Sequence, residues 1–164
     1  MHRVRKAESK EMDTIYMMGY DVWSNHSAPN EYLEICRHSV KYKQGEWYVL
    51  TELGTNRLLS SLIVYKLDLH DQTVIRGIGS IATVGYCRKA GNATELVKTV
   101  ISILTKQDAC DDFFLYSDIG AQFYNKLGFN ALPRSRQKYK ESICMYYSQT
   151  KDTPSSDCKI PDYF

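Results

Sequence analysis

Residues 87–101 read CRKAGNATELVKTVI. Ala93, Leu96, Val97, Val100, Ile101 and Leu104 recur at i, i+3, i+4, i+7, i+8 and i+11. That is the single apolar stripe of a helix lying on a core. The front of the stretch obeys a different logic. Arg88 and Lys89 are cationic, Gly91 has no side chain and Ala93 is small. A helix start exposes N–H groups with partial positive charge and favours acidic residues. Cations beside a glycine at that place read as a seat for an anion from outside.

Outward from this helix the chain alternates short apolar runs with turns. Upstream, Val4 to Ala7 reads as a first strand. A helix is predicted from Ser9 to about Ser24, on Met12, Ile15, Tyr16, Met18, Gly19, Val22 and Trp23. The turn NHSAPN, 25–30, offers Asn30 as a cap, and Tyr32, Leu33, Cys36 and Val40 make a second helical face. Strands are predicted at Trp47 to Glu52, Leu58 to Leu69 and Val74 to Tyr86, joined by GTN at 54–56 and HDQT at 70–73. Gly77 and Gly79 lie inside the third of these, where glycine marks a bulge or a close approach.

Downstream, the helix is predicted to end near Lys106. Phe113 to Ser117 reads as a buried strand. Ile119 to Leu127 reads as a helix closed by Gly128. Phe129 to Leu132 and Ile143 to Ser148 are final strands around a basic loop. The order β-α-α-β-β-β-α-β-α-β-β predicts an α/β chain of α+β type. Its mixed, mostly antiparallel sheet carries one β-α-β crossover and helices on both faces. Where antiparallel pairing meets the parallel crossover, neighbouring strands can splay, and ligands favour such places. Residues 1–148 read as a single domain. Residues 149–164 read as a polar tail whose Ile160, Tyr163 and Phe164 dock on the body.

The gross numbers exclude several classes. The 164 residues suit one domain with a real core, and 43% hydrophobic with 24% charged residues is a globular composition. A net charge of +2 is too mild for a nucleic-acid footprint. No stretch reaches the ~20 apolar residues of a membrane span, and HRVRKAESKEMD has no apolar region after its charges. The five cysteines are scattered with no CxxC pair, so neither a zinc site nor a disulfide framework is suggested, and a cytoplasmic chain is expected.

The chemistry concentrates in IATVGYCRKAGNATEL, 81–96. Amides from Lys89 to Thr94 suit a pyrophosphate, Gly91 lets the main chain approach, and Asn92 or Thr94 add side-chain donors. Arg88-Lys-Ala-Gly91-Asn-Ala93 resembles the R/Q-x-x-G-x-G/A motif of the GNAT family of acyl-CoA-dependent N-acetyltransferases. Ile81-Ala82-Thr83 resembles that family's strand, whose backbone pairs with the pantetheine arm. FYNKLGF, 123–129, resembles its FYxxLGF segment, in order and at the expected distance downstream. The resemblance covers 74–132 in motif and 1–148 in topology.

The resemblance implies the GNAT fold and an acetyltransferase using acetyl-CoA without a metal. It implies direct attack of a primary amine, of a small molecule or amino acid, in a ternary complex. Arg88, Lys89, Ala90, Gly91, Asn92, Ala93 and Thr94 would hold the CoA phosphates. Ile81, Ala82 and Thr83 would bind pantetheine. Tyr124 would protonate the departing thiolate. Ser117 stands where the family often has a cofactor-contacting asparagine, and Gly85 where it often has proline. No glutamate occurs in Val74 to Tyr86, where these enzymes commonly place a base. Asp118, Glu52 and His70 are the remaining candidates, and a homodimer suits the aromatic surplus.

Plainer readings stand beside these. Gly91 can be a turn glycine, and Arg88 and Lys89 solvated charges. Tyr124 is one of 13 tyrosines, most of which pack. Trp23, Trp47 and Tyr16, Tyr20, Tyr32, Tyr42 and Tyr48 read first as packing and second as an acceptor pocket. Cys87 reads first as an inert thiol. The rival function is a CoA-binding module of this fold with weak or no turnover.

Overall fold

Seven strands form one sheet in the order β1-β2-β3-β4-β5-β7-β6. They are β1 (His2–Lys6), β2 (Glu46–Glu52), β3 (Leu58–Leu67), β4 (Ile75–Thr83), β5 (Asp112–Ser117), β6 (Asn130–Ala131) and β7 (Ile143–Ser148). The helices are α1 (Met12–Met17), α2 (Tyr20–Trp23), α3 (Pro29–His38), α4 (Val40–Gln44), α5 (Asn92–Asp108) and α6 (Gln122–Asn125). This computed structural model describes residues 1–68, 73–151 and 153–164. Leu69, His70 and most of the HDQT turn lie outside the described residues. No described helix is long and apolar enough to cross a membrane.

β1 with β2, β2 with β3, β5 with β7 and β6 with β7 pair antiparallel, and β4 with β5 pairs parallel. The predicted mixed, mostly antiparallel sheet with one crossover is therefore present. The parallel pairing covers only Ile75–Gly77 opposite Asp112–Phe114, although β4 runs on to Thr83 and β5 to Ser117. Ser80, inside β4, has φ +44, a left-handed residue that departs from regular strand geometry.

The chain divides into two compact units, residues 1–64 with 80–100 and residues 65–79 with 101–164. In the first, Trp47 to Thr51 are buried without interruption, as are Leu59 to Val64. Successive strand residues point to opposite faces, so both faces are covered here. Tyr16, Tyr42 and Trp47 form one ring cluster, Tyr16 and Tyr42 stacked at 5.7 Å. Tyr20 and Tyr32 form another at 5.3 Å, which supports packing as the first role of these aromatics.

In the second unit Phe113 and Phe114 are both fully buried on opposite faces of β5. Phe113 continues into a chain of rings through Tyr147, Phe129 and Tyr124. Phe114 packs with Ile75, Leu132, Cys144, Tyr146 and Ile160. Residues 154–164 close over this second cluster. Arg136 donates to the carbonyls of Pro154 (3.2 Å) and Cys158 (2.7 Å), and the Tyr116 hydroxyl donates to that of Pro161 (2.6 Å). The Phe164 ring lies against Gly77, Tyr65 and Tyr116.

Three helix predictions are corrected. The helix expected from Ser9 to Ser24 is a 3-10 turn (Ser9–Glu11) followed by α1 and α2, broken at Met18 and Gly19. The Trp23 ring folds onto Gly19 so closely that a Cβ there would lie 2.0 Å from it. The second helix begins at Pro29 after Ala28, so Asn30 is inside it and caps nothing. It stops at Ser39, whose hydroxyl accepts from Tyr42 N at 3.2 Å to start α4, and Val40 is exposed. The helix expected over Ile119 to Leu127 shrinks to α6. Gly120 has φ +86, and the Ser117 hydroxyl closes a turn by donating to Gly120 O at 2.6 Å.

Candidate functional site

In the first unit β4 ends at Thr83, and its last residues are tied to β3 by side chains. The Ser60 hydroxyl donates to Ala82 O at 2.7 Å and lies 2.9 Å from Thr83 Oγ1. Val84 N donates to Leu59 O at 3.0 Å. A 3-10 turn (Gly85–Cys87) then leads to the loop, so the strand predicted to reach Tyr86 ends three residues earlier.

The loop is built to leave its donors open. Lys89 has φ +63 and Gly91 φ +84, so the loop passes twice through the left-handed region. Gly91 O accepts from Glu95 N at 2.9 Å, so the glycine is the residue on which α5 starts. The Asn92 side chain donates to Cys87 O at 2.9 Å and locks the loop's two ends together. Among the described residues, no acceptor in the chain receives the amides of Lys89, Ala90, Gly91, Asn92, Ala93 or Thr94. A Cβ placed on Gly91 would meet nothing within 4 Å. The loop therefore joins a helix N-terminus to a run of unspent amides, an arrangement suited to phosphate groups.

Besides the Asn92 side chain, two predicted ligands are otherwise occupied. The Arg88 guanidinium donates to Asp21 Oδ2 (2.6 Å) and Oδ1 (2.8 Å), to Thr83 O (3.1 Å) and to Met18 O (3.4 Å). This pairing holds the Asp21 carboxyl below the usual carboxylate range. Beside it opens a pocket of ≈ 300 Å³ lined chiefly by Met17, Met18, Tyr20, Val84, Gly85 and Arg88. In the second unit, Ser117 spends its hydroxyl on the turn to Gly120.

Tyr124 sits on α6 in the second unit, 8% exposed, its ring edge-on to Phe123 and Phe129. Burial, with a smaller contribution from Asp118, pushes its phenol up to about 12. Among the described residues its hydroxyl has no hydrogen-bond partner. Of the base candidates, Glu52 accepts from Thr55 (2.6 Å) and Arg57 (3.2 Å), which hold it below the usual carboxylate range. Asp118 accepts from the Tyr163 hydroxyl at 2.9 Å. His70 lies outside the described residues.

No protein-family model and no curated protein matches this sequence. Solved structures do. One chain of the NatC complex, solved with Gag peptide and CoA, superposes with a TM-score of 0.63 at 15% identity, over 90% of this chain and 98% of that one. A chimeric spermidine N-acetyltransferase SpeG from Vibrio cholerae gives 0.67 at 11% identity, over 91% and 96%. An acetyltransferase of the GNAT family from Staphylococcus aureus gives 0.63 at 15% identity, over 90% and 99%. Likeness of that extent at such low identity is a statement about architecture. The chain has the GNAT acetyltransferase fold.

Proposed function

We propose that this protein is an N-acetyltransferase that takes its acetyl group from acetyl-CoA and gives it to a primary amine of a small molecule or amino acid. The observation that carries the reading is the run of six amides from Lys89 to Thr94 that no acceptor among the described residues receives. It supports a pyrophosphate held by main chain, with Gly91 leaving the approach open. The fold shared with acetyltransferases, and with a chain of the NatC complex solved with CoA, supports the same cofactor.

When bound, acetyl-CoA supplies an activated acetyl group on sulfur. The acceptor's neutral amine forms the new bond to carbon, the bond to sulfur breaks, the amine loses a proton and the sulfur gains one. Tyr124 is the proposed partner of the sulfur. A phenol at about 12 keeps its proton throughout the neutral range. An ordinary thiol titrates near ~8.5, so the phenol is the weaker acid of the two. Tyr124 thus acts first as a hydrogen-bond donor to the charge developing on sulfur, and the proton released by the amine completes the balance. Ile81 to Thr83 are the proposed backbone partners of pantetheine.

One observation favours a second reading, a CoA-binding module with little turnover: both described candidates for the base, Glu52 and Asp118, are engaged by other groups. A panel of amines, including spermidine, amino acids and a short peptide, assayed with acetyl-CoA for thiol release separates the two. Acetylated product from any of them supports the enzyme. CoA binding with no product from the whole panel supports the module.

A further inference from the structure

The cation that opens the phosphate loop does not face outward. Arg88 spreads its guanidinium over four acceptors, and three of them, both Asp21 oxygens and Met18 O, belong to the corner between α1 and α2. The fourth, Thr83 O, is the last residue of β4. Turning the side chain toward a phosphate would give up a bidentate carboxylate pair and two carbonyl contacts together. The planar fork of arginine suits such multiple anchoring, and no other side chain reproduces it.

We infer that Arg88 is a positioning residue, not a phosphate ligand: it pins the α1–α2 corner to the loop that precedes α5. The inference rests on the CoA reading of that loop. The pinned corner is one wall of the ≈ 300 Å³ pocket, with Met17, Met18 and Tyr20 on the helical side and Val84 and Gly85 on the loop side. Both walls meet at the Arg88–Asp21 pair. A ligand that orders the loop therefore orders the corner through one side chain. Coupling of this kind requires a discrete physical link, and by linkage it acts in both directions.

The test uses the full chain, CoA as the probe, and the variants Arg88→Gln and Asp21→Asn. Glutamine keeps a donor for Thr83 O but cannot pair with a carboxylate through a charged fork. Calorimetry should give Arg88→Gln a CoA affinity within fivefold of the wild type. Amide hydrogen exchange at residues 18–22 should slow on saturation with CoA in the wild type and stay unchanged in both variants. Asp21→Asn breaks the charged, bidentate pair without altering the loop, so it guards against a folding defect peculiar to Arg88→Gln. A loss of affinity beyond fivefold in Arg88→Gln that Asp21→Asn does not share would make the guanidinium a phosphate ligand and overturn the inference. CoA-dependent slowing that persists in either variant would overturn it as well. If the wild type itself binds no CoA, the proposed function fails. The pin is then judged by ligand-free exchange at 18–22, which each substitution should raise, the double variant no further; unchanged exchange overturns it.

Discussion

Gly77 in β4 and Gly91 ahead of α5 are both required to be glycine, for opposite reasons. A Cβ on Gly77 would lie 2.5 Å from the Phe164 ring, so this glycine makes room for the chain itself. A Cβ on Gly91 would meet nothing within 4 Å, yet its φ of +84 is one that L side chains rarely adopt. The first position is closed by packing. The second takes a conformation that glycine adopts freely and other residues do not, around empty space, and among the described residues no acceptor receives the six amides beside it. Open donors on such a loop are what a protein keeps for a ligand.

The comparison breaks first at Gly91. Gly91→Glu sets a carboxylate among the amides meant for phosphate, and CoA affinity should fall by at least about 100-fold, ~2.7 kcal/mol. Calorimetry with CoA measures it, and retained affinity would sink the loop assignment. Next in size is Tyr124→Phe, which should lower kcat by about 10²-fold and leave acetyl-CoA binding nearly intact. Unchanged turnover in a steady-state assay would return Tyr124 to packing alone.

The glycines themselves can be told apart by stability. Gly77→Ala should cost about 1–3 kcal/mol by overpacking, and Phe164→Ala in the same chain should cancel most of that added cost. Gly91→Ala should cost about 1–2 kcal/mol by backbone strain, and no truncation of a neighbour should restore it. Urea melts of the wild type, the three single variants and the two double variants check the pattern; rescue of Gly91→Ala by Phe164→Ala would contradict it.

The smallest effect concerns pH. Asp21 is held below its ordinary value of 3.8 by Arg88. A carboxylate whose folded pKa is depressed contributes at neutral pH and loses that contribution as pH falls below 3.8 through the folded value. Carbon-detected NMR of the Asp21 carboxyl should give a midpoint under 3.8, returning toward it in Arg88→Gln. Tyr124 has the opposite sign: its raised pKa of about 12 gives a contribution intact below 10 and lost between 10 and 12.

What the sequence discloses follows the range of the interactions. The α5 stripe is local, and Leu96, Val97, Val100, Ile101 and Leu104 are all buried as its periodicity requires. The loop's glycine and the strand before it are legible for the same reason. The break at Gly19 is not, because it comes from the placing of the Trp23 ring, which periodicity does not report. Nor is the short α6, since the Ser117 hydroxyl closes a turn where the pattern extends a helix. Arg88 is the sharpest case. Its charge reads as a lure for an anion until Asp21, far away in sequence, is found beside it. A pairing across that separation leaves no periodic trace.

The central claim is that the amides of Lys89 to Thr94 receive the CoA pyrophosphate. Titration calorimetry of the wild-type chain with CoA, and again with Gly91→Glu, tests it most directly. Saturable one-site binding to the wild type, weakened by at least about 100-fold in the variant, is expected. No heat with the wild type, or equal affinity in both chains, would contradict it.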